Sequence, residues 1–227
     1  MRKYFEKLYK GNLEEFSCIL EEKLEKEEKA FIITANPETL MIGEKNLEFQ
    51  KILLSKDVTI TADGIGVVKG AQELGYNIRE RVTGVDIVKK LFEAADKKKK
   101  SLYLFGAKPE VVKRLAEIVE SKYSGIQLLG YKDGYVTKKD EVFEKISDLK
   151  PDIVLVALGI PAQELLIAKH YDKFDKGIFI GIGGAFDVLS GMKKRAPRFF
   201  VKHNLEWLYR ICSEPKFEKG DLNDDEN

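Results

Sequence analysis

The segment Ile153-Val-Leu-Val-Ala-Leu158 is apolar at every position and short. A strand that meets solvent on one face alternates apolar and polar residues, so an unbroken apolar run of this length reads as a strand covered on both faces. Strands of that kind belong to parallel sheets, whose crossover connections place helices on each side. Further strand candidates at Ala30–Ala35, Val58–Thr61, Ser101–Phe105, Ile126–Leu129 and Gly177–Ile182 agree with that demand. They are separated by helical patterns at Val67–Leu74, Val85–Ala95, Pro109–Tyr123, Lys138–Leu149 and Pro161–His170. Strand–helix alternation predicts βαβ units. The expected fold class is α/β: a Rossmann-like, mostly parallel sheet flanked by helices, in a single domain with two lobes around a cleft at the strand carboxyl ends.

Local signals fill in the ends of elements. Asn12 followed by Glu15 has the form of a capping box, and Leu13, Phe16, Leu20 and Leu24 then recur at helical spacing. Pro37 suits the first position of a helix after the strand Ala30–Ala35. The lysines Lys97–Lys100 read as a helix exit and surface loop, or alternatively as a basic patch. With 39 basic and 38 acidic side chains in 227 residues there is no global field, so a nucleic-acid partner is not expected. Cys18 and Cys212 are too few for a disulfide framework and are expected to be small buried hydrophobes. Met1–Lys10 is charged and no stretch approaches the ~20 apolar residues of a membrane span, so neither a signal peptide nor a spanning helix is expected. A reducing, cytoplasmic setting follows.

Polar and glycine residues gather where the strands end: Thr34 and Asn36, Asp63 and Gly64, Gly106, Gly159 and Pro161, and Gly181 to Gly184. In a parallel sheet these ends share one edge, where ligands bind. Asp63, in Thr61-Ala-Asp-Gly-Ile-Gly-Val-Val68, has two readings, a functional carboxylate beside flexible glycines or the N-cap of the next helix. Gly181-Ile-Gly183-Gly184 has part of a dinucleotide fingerprint, but Ala185–Pro197 does not read as a long helix and no acidic strand end follows, so a nicotinamide or flavin site is not expected. Gly183 and Gly184 still suit close backbone approach to a phosphate or sugar. The arginines of Arg79-Glu-Arg81 are either diphosphate ligands or ordinary surface residues. His170 and His203 sit where histidines are more often structural, and no Walker loop, Gly-x-Ser-x-Gly or metal cluster occurs.

Taken in order, Thr34-Ala-Asn36-Pro37-Glu38, Ala62-Asp63-Gly64-Ile-Gly66-Val-Val68, Glu80-Arg81-Val-Thr-Gly84-Val-Asp86, Leu104-Phe-Gly106, Gly159-Ile-Pro161-Ala-Gln163-Glu164, Gly181-Ile-Gly183-Gly184-Ala-Phe-Asp187, Lys194-Arg-Ala-Pro197 and Leu205-Glu-Trp-Leu-Tyr-Arg210 are similar to the motifs of the WecG/TagA/CpsF glycosyltransferases. The resemblance runs from about Ala30 to Pro215. It implies inverting transfer from a UDP-sugar, typically N-acetylmannosamine or its uronic acid, to a GlcNAc-diphosphate-undecaprenol acceptor at the cytoplasmic membrane face. By the same resemblance Asp63 is the general base and Arg81 helps stabilise the diphosphate. Thr34, Asn36, Gly64, Gln163 and Arg210 contact the substrates, and Gly106, Tyr135, Gly159, Pro161, Glu164, Gly183 and Gly184 line the nucleotide. Tyr135 is either a ring set against the base or a buried structural tyrosine.

No Asp-x-Asp motif occurs in the folded region, so no metal or other cofactor is expected. The expected division is a glycosyltransferase domain over 1–215, with a basic and aromatic helix at 196–215, and a short acidic tail at 216–227. From Lys193 to Lys219 eight basic residues stand against three acidic ones, interleaved with Phe199, Phe200, Trp207 and Tyr209. Such a segment seats on an anionic bilayer or packs on the domain or another subunit, making a homo-oligomer. The family pattern carries a longer basic segment after the Glu-Pro pair, whereas here Glu214-Pro215 is followed by Lys216, Lys219 and an acidic run. Arg210 is then the expected diphosphate ligand from this region. The alternatives are the same chemistry on another UDP-sugar, such as the uronic acid or a hexose, and a non-catalytic nucleotide-sugar-binding protein.

Overall fold

In the computed structural model, which describes residues 1–193, six parallel strands form one sheet in the order β2-β1-β6-β5-β3-β4. They are β1 (Lys29–Ala35), β2 (Val58–Ala62), β3 (Ser101–Gly106), β4 (Gln127–Lys132), β5 (Ile153–Ala157) and β6 (Gly177–Gly181). Every strand expected from the sequence is present within a residue or three of its expected bounds. β5 and β6 are buried along their whole length, as the apolar run of β5 demanded.

Alternation along the strands sends side chains to two separate cores. Ile32, Leu104, Leu155 and Ile180 enter one core, with Phe16, Leu20, Leu91, Leu115 and Phe186. Phe31, Ile33, Phe105, Val156 and Phe179 enter the other, with Leu40, Phe49, Val67, Phe143 and Ile167. The first core packs α2 (Leu13–Glu25), α6 (Gly84–Lys98), α7 (Pro109–Lys122) and α10 (Ala185–Leu189) on one face of the sheet. The second packs α1 (Arg2–Lys7), α3 (Pro37–Lys45), α4 (Leu47–Leu54), α5 (Ile65–Glu73), α8 (Lys139–Leu149) and α9 (Ala162–His170) on the other. The result is a three-layer α/β architecture. Residues 1–193 are organised around this one sheet, and no second lobe is present among the described residues. The expected helix at 196–215, the tail at 216–227, His203, Arg210 and Cys212 lie outside the described residues.

The capping chemistry behaves as the sequence requires. Asn12 Oδ1 accepts from Glu15 N–H at 2.8 Å and Glu15 Oε2 accepts from Asn12 N–H at 3.1 Å, closing the capping box of α2. Asn36 does the same for α3 with Thr39, and Pro37 takes the first helical position. Lys98 closes α6 and pairs with Glu25, while Lys99 adopts the left-handed cap, so the Lys97–Lys100 run is a helix exit. The outer edge of β2 is covered: Tyr9 N–H donates to Ile60 O at 2.8 Å and Val82 N–H to Ala62 O at 2.9 Å.

One expectation needs correction, and the structural reading of His170 holds. Cys18 is exposed, because the buried face of α2 is set by Phe16, Leu20 and Leu24 and Cys18 falls on the opposite side. His170 is 2 % exposed and its Nε2 lies 2.7 Å from Asp140 Oδ1, which makes it a structural link between α9 and α8. Among the described residues no helix is long and apolar enough to cross a membrane.

Candidate active site

The six strand ends meet along one edge because the register pairs Ala35 with Ala62, Ile33 and Val156 with Gly181, and Gly106 with Ala157. β6 lies between β1 and β5, and the chain leaves β6 toward the α6 and α7 face while it leaves both neighbours toward the other. Loops that diverge in this way open a crevice above the strand ends, the usual ligand position in open α/β sheets.

Asp63 follows β2 and is half-buried. It does not cap the helix that follows: the N-cap of α5 is Gly64, with no side-chain bond. The Asp63 and Gly64 N–H groups both donate to Ala35 O, at 2.9 and 3.4 Å, which turns the chain sharply. The carboxylate is thereby aimed at another helix, and Asp63 Oδ2 accepts from Gly84 N–H at 3.4 Å. Gly84 is the first residue of the 15-residue α6, where unpaired amides and the helix dipole favour negative charge. The N-cap alternative is therefore replaced by a carboxylate held at the start of a distant helix.

The neighbours of Asp63 come from three further segments. A side chain at Gly84 would approach Thr34 Oγ1 to 3.3 Å and Ile182 Cγ2 to 3.4 Å, so Thr34 of β1 and the residue after β6 both abut this helix start. Gly64 lies against Asn36 and Pro37. The Asn36 Oδ1 atom serves the α3 cap, accepting from Thr39 N–H at 2.9 Å, and leaves the nitrogen side of the amide for a ligand. Arg81 is half-buried, and the backbone bond from Val82 to Ala62 and the bond from Gly84 N–H to the Asp63 carboxylate set it beside the end of β2. The strand-like strap that carries it is pinned by an Arg79–Glu15 ion pair at 2.8 Å and by Leu13 N–H donating to Glu80 Oε1 at 2.6 Å. Of the two arginines, Arg79 is thus the surface residue and Arg81 the one at the crevice.

The other half of the edge is built from backbone. Gly106 has φ +119°, and a side chain there would meet Ala157 O at 2.2 Å, so only glycine fits the end of β3. Ala107 N–H donates to Ala157 O at 2.7 Å and Gly134 N–H to Ala107 O at 2.8 Å, tying together the loops after β3, β4 and β5. Tyr135 follows Gly134 and is 70 % exposed, which excludes the buried structural alternative. Gln163 Oε1 accepts from the Leu158, Gly159 and Gly183 N–H groups at 3.3, 3.2 and 3.1 Å, and its Nε2 donates to Glu164 Oε1 at 2.7 Å.

The chain matches the family described as glycosyl transferase WecG/TagA/CpsF over residues 7–218. It belongs to that family. Among curated relatives it is 42% identical to one from Bacillus spizizenii (strain W23) over 192 residues, covering 85% of this chain and 74% of the relative. To one from Bacillus subtilis (strain 168) it is 40% identical over 206 residues, 90% of this chain and 80% of the relative. To one from Staphylococcus aureus (strain MW2) it is 34% identical over 186 residues, 82% and 73% of the two chains. All three relatives are named N-acetylglucosaminyldiphosphoundecaprenol N-acetyl-beta-D-mannosaminyltransferase.

Within this WecG/TagA/CpsF member, Thr34, Asn36, Asp63, Gly64 and Arg81 gather at one end of the edge, and Gly106, Tyr135, Gly159, Pro161, Gly183 and Gly184 belong to the loops at the other. Glu164, expected to line the nucleotide, is 1 % exposed and sits beneath the end of β6. Gln163, at 2 % exposed, is a clamp between two loops. Two further contributors, Gly84 and Ile182, were inside quoted motifs, but only the fold reveals that the Gly84 amide serves Asp63. Among the described residues no cluster of three or more His, Cys, Asp or Glu is placed to hold a metal ion.

Proposed function

We propose that this chain transfers N-acetylmannosamine from UDP-N-acetylmannosamine to GlcNAc-diphosphoundecaprenol with inversion, and that Asp63 is its general base. One observation carries the reading: a carboxylate at the end of β2, oriented by the first amide of α6, beside Thr34, Asn36 and Arg81. The relatives' printed name supplies the transferred sugar and acceptor.

Inversion requires an acceptor hydroxyl to attack the anomeric carbon from the face opposite UDP. As the new bond forms, the hydroxyl proton passes to Asp63 and the old carbon–oxygen electron pair leaves with UDP. Negative charge grows on the departing diphosphate, where the Arg81 guanidinium and the amides of the Gly159 and Gly183 loops other than those held by Gln163 act without reorganising. Thr34 and the Asn36 amide orient the sugar hydroxyls next to the base. Tyr135, Gly106, Pro161 and Gly184 flank the nucleotide at the rim, and Arg210 is assigned to the diphosphate. Arginine and amides supply the charge stabilisation in this scheme, without a metal ion. The lipid-linked acceptor sets the place of work at the inner face of the cytoplasmic membrane, with the basic and aromatic segment 196–215 as the membrane or subunit contact.

The test is release of UDP from UDP-N-acetylmannosamine with and without a GlcNAc-diphospholipid, in the presence and absence of EDTA. Release should depend on the acceptor, survive EDTA, and fall by about 10²–10⁴-fold in Asp63→Asn, the usual worth of a positioned base, with UDP affinity unchanged. UDP binding with no release from this donor but release from a hexose or uronic acid donor would move the substrate. Binding with no release from any donor would leave a nucleotide-sugar-binding protein.

A further inference from the structure

Glu164 carries a carboxyl group that the proposed transfer does not use. It is buried to 1 % exposure at the start of α9, its Oε1 accepts from Gln163 Nε2 at 2.7 Å, and its Oε2 has no hydrogen-bond partner among the described residues. A polar side chain in that position is costly unless it holds something else in place. What it holds is the Gln163 amide.

A glutamine amide can present either its oxygen or its nitrogen by rotation about its last torsion. At Gln163 the choice matters, because three backbone N–H groups from two different loops, Leu158 and Gly159 after β5 and Gly183 after β6, converge on one atom. With the oxygen there all three are satisfied; with the NH₂ there, three donors face a fourth. An acceptor at the far end of the amide rejects the wrong orientation as well, and Glu164 Oε1 is that acceptor. The last residue of β6 makes the room: a side chain at Gly181 would lie 2.7 Å from Glu164 Oε1 and 2.8 Å from Gln163 Nε2.

We infer that Glu164 is a positioning residue that fixes the Gln163 amide with its oxygen toward the Leu158, Gly159 and Gly183 amides, and so sets the spacing of the two loops that bracket the donor diphosphate. The part concerning the donor rests on the transfer proposed above; the part concerning the loops does not. Burial pushes the Glu164 carboxyl up to about 7. A proton on Oε2 leaves Oε1 free to accept, so the acceptor and not the charge is the functional feature.

The experiment compares Glu164→Leu, Glu164→Gln, Gln163→Leu and the double variant Gln163→Leu/Glu164→Leu in the full chain. Two readouts are taken: amide hydrogen exchange at Gly159 and Gly183, and steady-state transfer from UDP-N-acetylmannosamine to a GlcNAc-diphospholipid. Glu164→Leu should speed exchange at both glycines and lower kcat/KM for the donor by about 2- to 10-fold, the factor one neutral hydrogen bond is worth, with acceptor KM unchanged. Glu164→Gln, which keeps an acceptor oxygen, should match the wild type in both. The double variant should lose no more than either single, as members of one unit do. Wild-type exchange in Glu164→Leu, losses in Glu164→Gln as large as in Glu164→Leu, or additive losses in the double variant each overturn the inference. If Glu164→Leu does not fold, Glu164→Gln and Gln163→Leu still decide between acceptor and charge. If the wild type transfers nothing, the transfer proposal fails while the exchange data still judge the Glu164 role.

Discussion

Two carboxyl groups stand at the same sheet edge in opposite surroundings. Asp63 is half-exposed, oriented by a backbone amide at the start of a long helix, and open to the crevice. Glu164 is sealed beneath β6, with one oxygen on Gln163 and the other unpartnered. The first environment welcomes charge and lets a substrate reach it; the second penalises charge and keeps substrate away. Burial alone would have singled out Glu164 as the unusual acid of this protein, yet accessibility is what makes Asp63 the proposed base. In the proposed reaction the perturbed carboxyl marks the site and is not its reagent.

The sharpest way to break this contrast is to exchange effects between the two. Asp63→Asn should carry the largest loss, about 10²–10⁴-fold in kcat, while its thermal midpoint stays near that of the wild type, since no buried bond is lost. A collapse of stability in that variant would make Asp63 structural after all.

Next in size is the pH dependence of folding. Glu164 is raised by burial from 4.5 to about 7 in the folded protein, so between those values the folded state binds the proton that the unfolded chain has released. Its contribution is fully present below about pH 4.5 and is lost as pH rises toward 7, a fall of about 3 kcal/mol from this one group. Denaturant titrations of wild type and Glu164→Gln across that window should show the difference between them shrinking at low pH and growing at high pH in favour of the variant. A difference that does not change with pH would remove the buried-acid account.

Gly84→Ala probes the support of Asp63 with a smaller perturbation. The added methyl must share space with Thr34 and Ile182, shifting the start of α6 by a few tenths of an ångström at a cost of about 1 kcal/mol in stability. Transfer should fall by about tenfold because the displaced amide orients the carboxylate less well, and Gly159 and Gly183 exchange should not change. The smallest effect is expected of Asn12→Ala, which removes the α2 cap for about 1 kcal/mol and leaves kcat/KM unaltered. A rate loss there would mean that the Arg79–Glu80 strap depends on the cap as well as on the Glu15 ion pair.

Legibility followed the range of the interactions. The six strands, the α2 and α3 caps and the Lys98 exit were readable because each is decided by neighbours within a few residues. The helix α4 escaped, since Asn46 is at once the C-cap of α3 and the N-cap of α4 and leaves no loop to announce a break. Cys18 was misplaced because residue type was weighed above its angle on α2. In the site, the residues alone left Asp63 with two readings and Arg79 and Arg81 alike; the resemblance favours Arg81, and the physical difference between the two arginines depends on Glu15 across 64 residues of chain. Glu164 and Gln163 were visible as residues but not as a buried pair.

By itself the sequence determined a parallel α/β sheet whose glycine and polar residues share one edge, because strand periodicity, caps and the apolar run of β5 are local and leave few topologies open. Only the tertiary structure decided that the first amide of α6 orients Asp63 and that Glu164 is buried under β6. Both follow from strand order and packing between segments distant in the chain, and a hydrogen bond across such a distance leaves no period in the sequence from which to read it.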